Sequence, residues 1–150
     1  MKALRVGAIV VALTAPAAAH AQALDGPALS KVTDAAMGYW HAQEIKLGWT
    51  GLSPLIVDCY RALGPKTTQA KAAWCIALDY YTRRDISAFP VSLTPPYFSE
   101  TVVAKRSAQA VAASTPPAGR DAFMAVLSAA MNRSVGTFAA SHPKDIWTLH

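Results

Sequence analysis

The sequence predicts an all-α protein: a small bundle of four to five helices behind an N-terminal signal peptide, with one disulfide linking two of the helices. Three observations point that way. Apolar residues recur at steps of three and four along most of the chain. Clusters of Pro and Gly cut it into pieces of helical length. No alternation of apolar and polar residues runs long enough to build a sheet.

Asp25-Gly26-Pro27 opens the first helix, with Pro27 tolerated in the first turn. Leu29, Val32, Ala36, Tyr39, Trp40, Gln43 and Leu47 mark one face, and Gly48 ends it. Residues 49–52 read as a connector. Ser53-Pro54 opens a second helix, because Ser53 can cap it and Pro54 lacks only an N–H that a first turn leaves unused. Its inner face is Leu55, Ile56, Cys59, Ala62 and Leu63, and Gly64-Pro65 stops it. Thr67 or Thr68 caps a third helix that runs to about Arg84. Residues 74–78 are apolar on every side of that helix, which predicts a central position.

Pro90, Pro95 and Pro96 break helices and favour an extended strap from Phe89 to Pro96. A fourth helix is expected from near Pro96 through Tyr97, Phe98, Val102 and Val103 to Ala113, followed by a turn over 114–119. Phe123, Val126, Leu127, Ala130, Met131, Val135 and Phe138 make a regular fifth helix. The expected organisation is a leader over 1–21, one helical domain over 22–140 and a C-terminal tail over 141–150. In that tail Ile146, Trp147 and Leu149 are able to fold back onto the body.

The leader has three parts. Lys2 and Arg5 supply a positive start, an apolar run of 14 residues spans Val6 to Ala19, and Ala19-His20-Ala21 offers small residues at the cleavage positions. That run is too short to span a bilayer, which needs roughly 20 apolar residues, and it contains Pro16. No Cys stands at the cut to take a lipid. The mature chain is expected to begin at Gln22, to carry no integral membrane segment, and to reside in the periplasm or outside the cell. Cys59 and Cys75 are the two cysteines of the chain, so one intramolecular pairing exists, and an oxidising compartment favours a disulfide. Neither a Cys-x-x-Cys redox couple nor a clustered metal-ligand spacing is present.

After cleavage 129 residues remain, the size of one ordinary domain. The formal charge falls from +5 to +3 once Lys2 and Arg5 leave. A surplus that mild and scattered is not the clustered basic face that nucleic acid requires.

Few residues point to chemistry. Asp79 follows the all-apolar stretch of the third helix, where an unpaired carboxylate is expensive to bury. Arg83 stands four residues on, the spacing of a helical ion pair, and Asp58 has Arg61 one turn away. These residues form a candidate polar site, for which a structural ion pair or a bond to a neighbouring helix is the ordinary reading. His41 and Glu44 are three apart, but a di-metal bundle would need a second such unit and further carboxylates. His142 and His150 lack ligand spacing, and Met124 and Met131, seven apart, suit core packing better than copper. No nucleophile elbow, phosphate loop or haem-attachment motif occurs. No metal and no cofactor is therefore expected. The expectation for function is a non-enzymatic binding or interaction module. It would act on a protein partner or an envelope component, with inhibitor-like or immunity-like roles fitting that description. The alternative is a small hydrolase or ligand carrier built around Asp58 and Asp79.

Overall fold

The computed structural model describes residues 23–87 and 95–143. Residues 1–22, with the expected leader, residues 88–94, with most of the strap expected over 89–96, and the tail beyond Pro143 lie outside the described residues. Among the described residues four α-helices follow one another: α1 (Gly26–Arg61), α2 (Gln69–Ile86), α3 (Glu100–Ser114) and α4 (Arg120–Ser141). Single 3-10 turns, Pro96–Phe98 and Pro117–Gly119, precede α3 and α4. No strand occurs among the described residues, and no helix among them is long and apolar enough to cross a membrane.

Asp25 starts α1 by accepting from the Ala28 N–H at 2.8 Å. Gly48 breaks the helix as the sequence predicts, with φ of 65° and ψ of 169°, a backbone region open essentially to glycine alone that costs other residues about 1–3 kcal/mol. The expected connector over 49–52 does not form, because one left-handed residue is enough to redirect the axis. Helix resumes at once, so the predicted first and second helices are two arms of α1. Pro54 consequently lies inside the second arm and removes the bond its N–H would make to the Thr50 carbonyl. Thr50 is exposed, which leaves that carbonyl within reach of water. The close approach of the two arms also explains Gly51, where a Cβ would meet Leu47 Cβ at 2.6 Å.

The second arm ends earlier than Gly64. Ala62 caps it, and Lys71 Nζ reaches back to the Ala62 carbonyl at 2.6 Å. Gly64 N–H donates to Thr67 Oγ1 at 2.7 Å in the turn, and Thr68 caps α2 by accepting from the Lys71 N–H. The disulfide Cys59–Cys75 ties the last turn of α1 to the second turn of α2, with Cα atoms 5.6 Å apart.

α2 is the central helix, buried along Ala72, Ala73, Cys75–Asp79, Tyr81, Thr82, Asp85 and Ile86. α1 wraps it on one side, α3 lies against it on another, and α4 packs chiefly on the first arm of α1. Polar bonds fix these contacts. Trp40 Nε1 donates to Thr82 Oγ1 at 3.0 Å, the Tyr81 hydroxyl to the Thr33 carbonyl at 3.1 Å, and the Ser134 hydroxyl to Thr33 Oγ1 at 3.0 Å. α3 begins at Glu100 rather than near Pro96, because the Pro95-Pro96 pair forms its own tight turn and seats Phe98 in the core. At the far end of α4, His142 stacks on Phe138 with centroids 4.1 Å apart and stands 5.5 Å from the ring of His41. The first residue beyond α4 is thus folded back onto the bundle.

Candidate functional site

Three elements converge on Asp79. α2 carries it inward, α3 supplies Arg106, and the second arm of α1 supplies Tyr60. Arg106 Nε and Nη2 donate to the two carboxylate oxygens of Asp79, a bidentate pair, and the Tyr60 hydroxyl donates to Oδ2 at 3.2 Å. The guanidinium is held in turn. Its Nη1 donates to the Tyr97 carbonyl at 2.6 Å, and its carbon lies 3.8 Å from the centre of the Tyr97 ring. Asp79 is 0% exposed and Arg106 8%. Burial pushes the Asp79 carboxyl up from its ordinary range, while the hydrogen bonds and charge of Arg106 pull it back. Burial, and then the charge of Asp79, raise the Tyr60 phenol above its usual value.

The Asp79 partner is therefore Arg106 and not the Arg83 that helical spacing suggested. Arg83 turns toward the start of α3, donating to the Phe98 carbonyl at 2.8 Å and facing Glu100 at 3.8 Å. It contributes charge to Asp79 at longer range only. Asp58 pairs with Arg61 at 3.6 Å as expected, with side chains 72% and 77% exposed. An ion pair that open to water holds little, a fraction of ~1 kcal/mol. The three residues of the candidate polar site thus do not meet: one acid is sealed, one lies on the surface, and the arginine bonds elsewhere.

Arg106 was legible in principle. It stands three residues after Val103 and four before Ala110, on the stripe that packs inward. Asp85 was legible in the same way, on the face of Leu78, Tyr81 and Thr82. It is 5% exposed. Desolvation first, and then the charge of Glu44 across the α1–α2 contact, push its carboxyl up to about 6. Glu44 therefore faces a second acid, while His41 packs on the Phe138 ring at 4.7 Å. No group of three or more His, Cys, Asp or Glu side chains suited to a metal ion occurs among the described residues.

Several clefts open among the described residues: a shallow one of about 390 Å³ lies beside the Asp79 pair at Tyr60, Tyr97 and Arg106, and two larger ones lie elsewhere on the bundle. The first has a volume of about 830 Å³ and lies where the start of the described chain, the α1–α2 turn, the end of α3 and the start of α4 come together. Leu24, Pro65, Ala113, Ala122, Phe123 and Val126 give it apolar walls. Gln69 stitches its edge, accepting from the Leu24 N–H at 2.7 Å and donating to Thr115 Oγ1 at 3.1 Å. The second cleft, about 460 Å³, lies between α2, α3 and α4. Asp79 lines neither. No family model, curated protein or solved structure matches the chain.

Proposed function

We propose that the chain is an exported helical binding module that acts without catalysis, on a protein partner or a component of the cell envelope. The observation that carries this reading is the cleft of about 830 Å³, whose lining among the described residues contains no titratable side chain. A site of that kind can hold an apolar surface or segment; its hydroxyls, Thr67, Ser114 and Thr115, have no base among the described lining residues to activate them. Its volume falls within the range of ordinary ligand clefts, roughly 300–1,000 Å³. The Cys59–Cys75 bond and the three-part leader support export to the periplasm or the medium.

The rival reading, a hydrolase or carrier worked by Asp58 and Asp79, has less behind it. Both oxygens of Asp79 already accept hydrogen bonds, and Asp58 sits apart in water. A reacting group would have to displace Arg106 to reach the buried acid.

The test is crosslinking capture from the native host with the wild-type chain and with Ala122→Arg. The variant places a cation in the cleft at an exposed helical position, where the fold tolerates it. A partner held by the wild type and lost with Ala122→Arg supports the reading. Absence of any reproducible partner, or equal capture by both forms, would overturn it. Intact mass of the native product reads leader removal in the same preparation.

A further inference from the structure

The second cleft has a character the first lacks. Its lining among the described residues includes two cations, Arg83 and Arg84, and no acid. Both belong to the last turn of α2. Ile76 lines the same cleft two turns earlier, about 11 Å back along the helix. Across from it, Met124 and Met131 stand seven residues apart on α4, which spans a similar length. The cleft is thus cationic toward one end of α2 and apolar along the rest. It stays open because the facing helices present small side chains, Ala104 and Ser107 from α3 and Ser128 from α4.

The guanidiniums are oriented rather than loose. Arg84 Nη1 donates to the Tyr80 hydroxyl at 3.1 Å, and that hydroxyl donates to Asn132 Oδ1 at 2.7 Å, linking α2 to α4. Arg83 is held by the Phe98 carbonyl, and its acidic neighbour Glu100 is largely in water. Cations also suit the negative end of a helix dipole, so their presence in this turn alone would need no ligand. The dipole does not account for an apolar channel leading away from them. Methionine walls, being flexible and polarisable, adapt to ligands of varied shape.

We propose that this cleft binds a small amphipathic anion, a carboxylate or phosphate head on an unbranched apolar stem. The head meets Arg83 and Arg84 with the nearby hydroxyls, and the stem lies along Ile76, Met124 and Met131. This site uses none of the residues of the larger cleft, so either proposal can fail without the other.

Isothermal titration of the purified protein with sodium decanoate, decyl phosphate and decyltrimethylammonium tests the proposal, with circular dichroism confirming that each variant is folded. Both anions are expected to bind saturably, one per chain, and the cation not to bind. Arg84→Gln should weaken the anions roughly tenfold, the loss of one charge-assisted contact. Ala104→Trp, at an exposed position of the lining, should abolish binding by filling the channel, while Ala122→Arg in the larger cleft should leave it unchanged. Binding of the cation as tight as that of the anions would overturn the proposal. So would decanoate binding that survives Ala104→Trp or is lost with Ala122→Arg. If Arg84→Gln does not fold, Ala104→Trp and the head-group comparison still decide the matter.

Discussion

At the scale of single residues, two buried carboxylates on one helix meet opposite fates. Asp79 has a guanidinium bonded to both oxygens and a phenol on one of them, so its charge is matched. Such a pair gains little over apolar replacements of equal shape, but either partner left alone is a buried orphan charge. Among the described residues Asp85 has no cation to offset its burial, and Glu44 adds repulsion. Its carboxyl titrates at about 6 in the folded chain, against roughly 3.9 in an unfolded one. Between those values the folded state holds the proton longer, so the contribution of Asp85 to stability is most favourable below about pH 4 and is lost as pH climbs through about 6. Asp85→Asn removes that penalty. It is expected to stabilise the protein by about 1–3 kcal/mol at pH 7–8, with the gain shrinking toward zero near pH 4. Urea melts of both forms across that range give the answer; a gain that does not change with pH would show that the charge is already compensated.

At the scale of elements, the break in α1 sets the architecture. The first arm reaches α4 through Thr33 and Ser134, whereas the second brings Cys59 and Tyr60 to α2. A straight helix of 36 residues would be about 54 Å long and could not wrap a bundle of this size. Gly48 makes the turn and Gly51 lets the arms approach. A methyl at position 51 would sit 2.6 Å from Leu47 Cβ, an atom fixed to the backbone, so the arms must separate to admit it. Gly51→Ala is expected to destabilise by about 1–3 kcal/mol despite the better helix propensity of Ala. Thermal melts check this, and unchanged or raised stability would mean the junction is slack. The capping residues at Asp25 and Thr68 stand in the sequence because side-chain oxygens there act on backbone a few residues away. The continuation of helix through 49–52 does not, since it rests on how the second arm packs.

At the scale of the whole molecule, a single covalent bond closes the α1–α2 hairpin on which α3 and α4 are laid. The bond encloses 15 residues, and a loop of that size is worth about 3 kcal/mol in the chain-entropy account. Replacing both cysteines by Ser is expected to lower the melting midpoint by about 10 °C. A fall of only a degree or two, read by circular dichroism, would mean that the hairpin holds itself shut in the unfolded chain. With the bond intact, α2 sits between its neighbours as its all-apolar middle requires, and the second cleft is what remains where α3 and α4 fail to close over it.

Local chemistry determined what could be read directly from the chain. Helical periodicity, caps, a helix-ending glycine, the one possible cysteine pairing and the central place of residues 74–78 act over short stretches, or admit a single solution. Tertiary packing alone decided which arginine meets Asp79, that Asp85 is stranded beside Glu44, and where the clefts lie. Those outcomes depend on distances between helices far apart in sequence: Asp79 and Arg106 are 27 residues apart, and no spacing rule acts over that range. Burial, the quantity that turns an ordinary carboxylate into a costly one, exists only once the helices have come together.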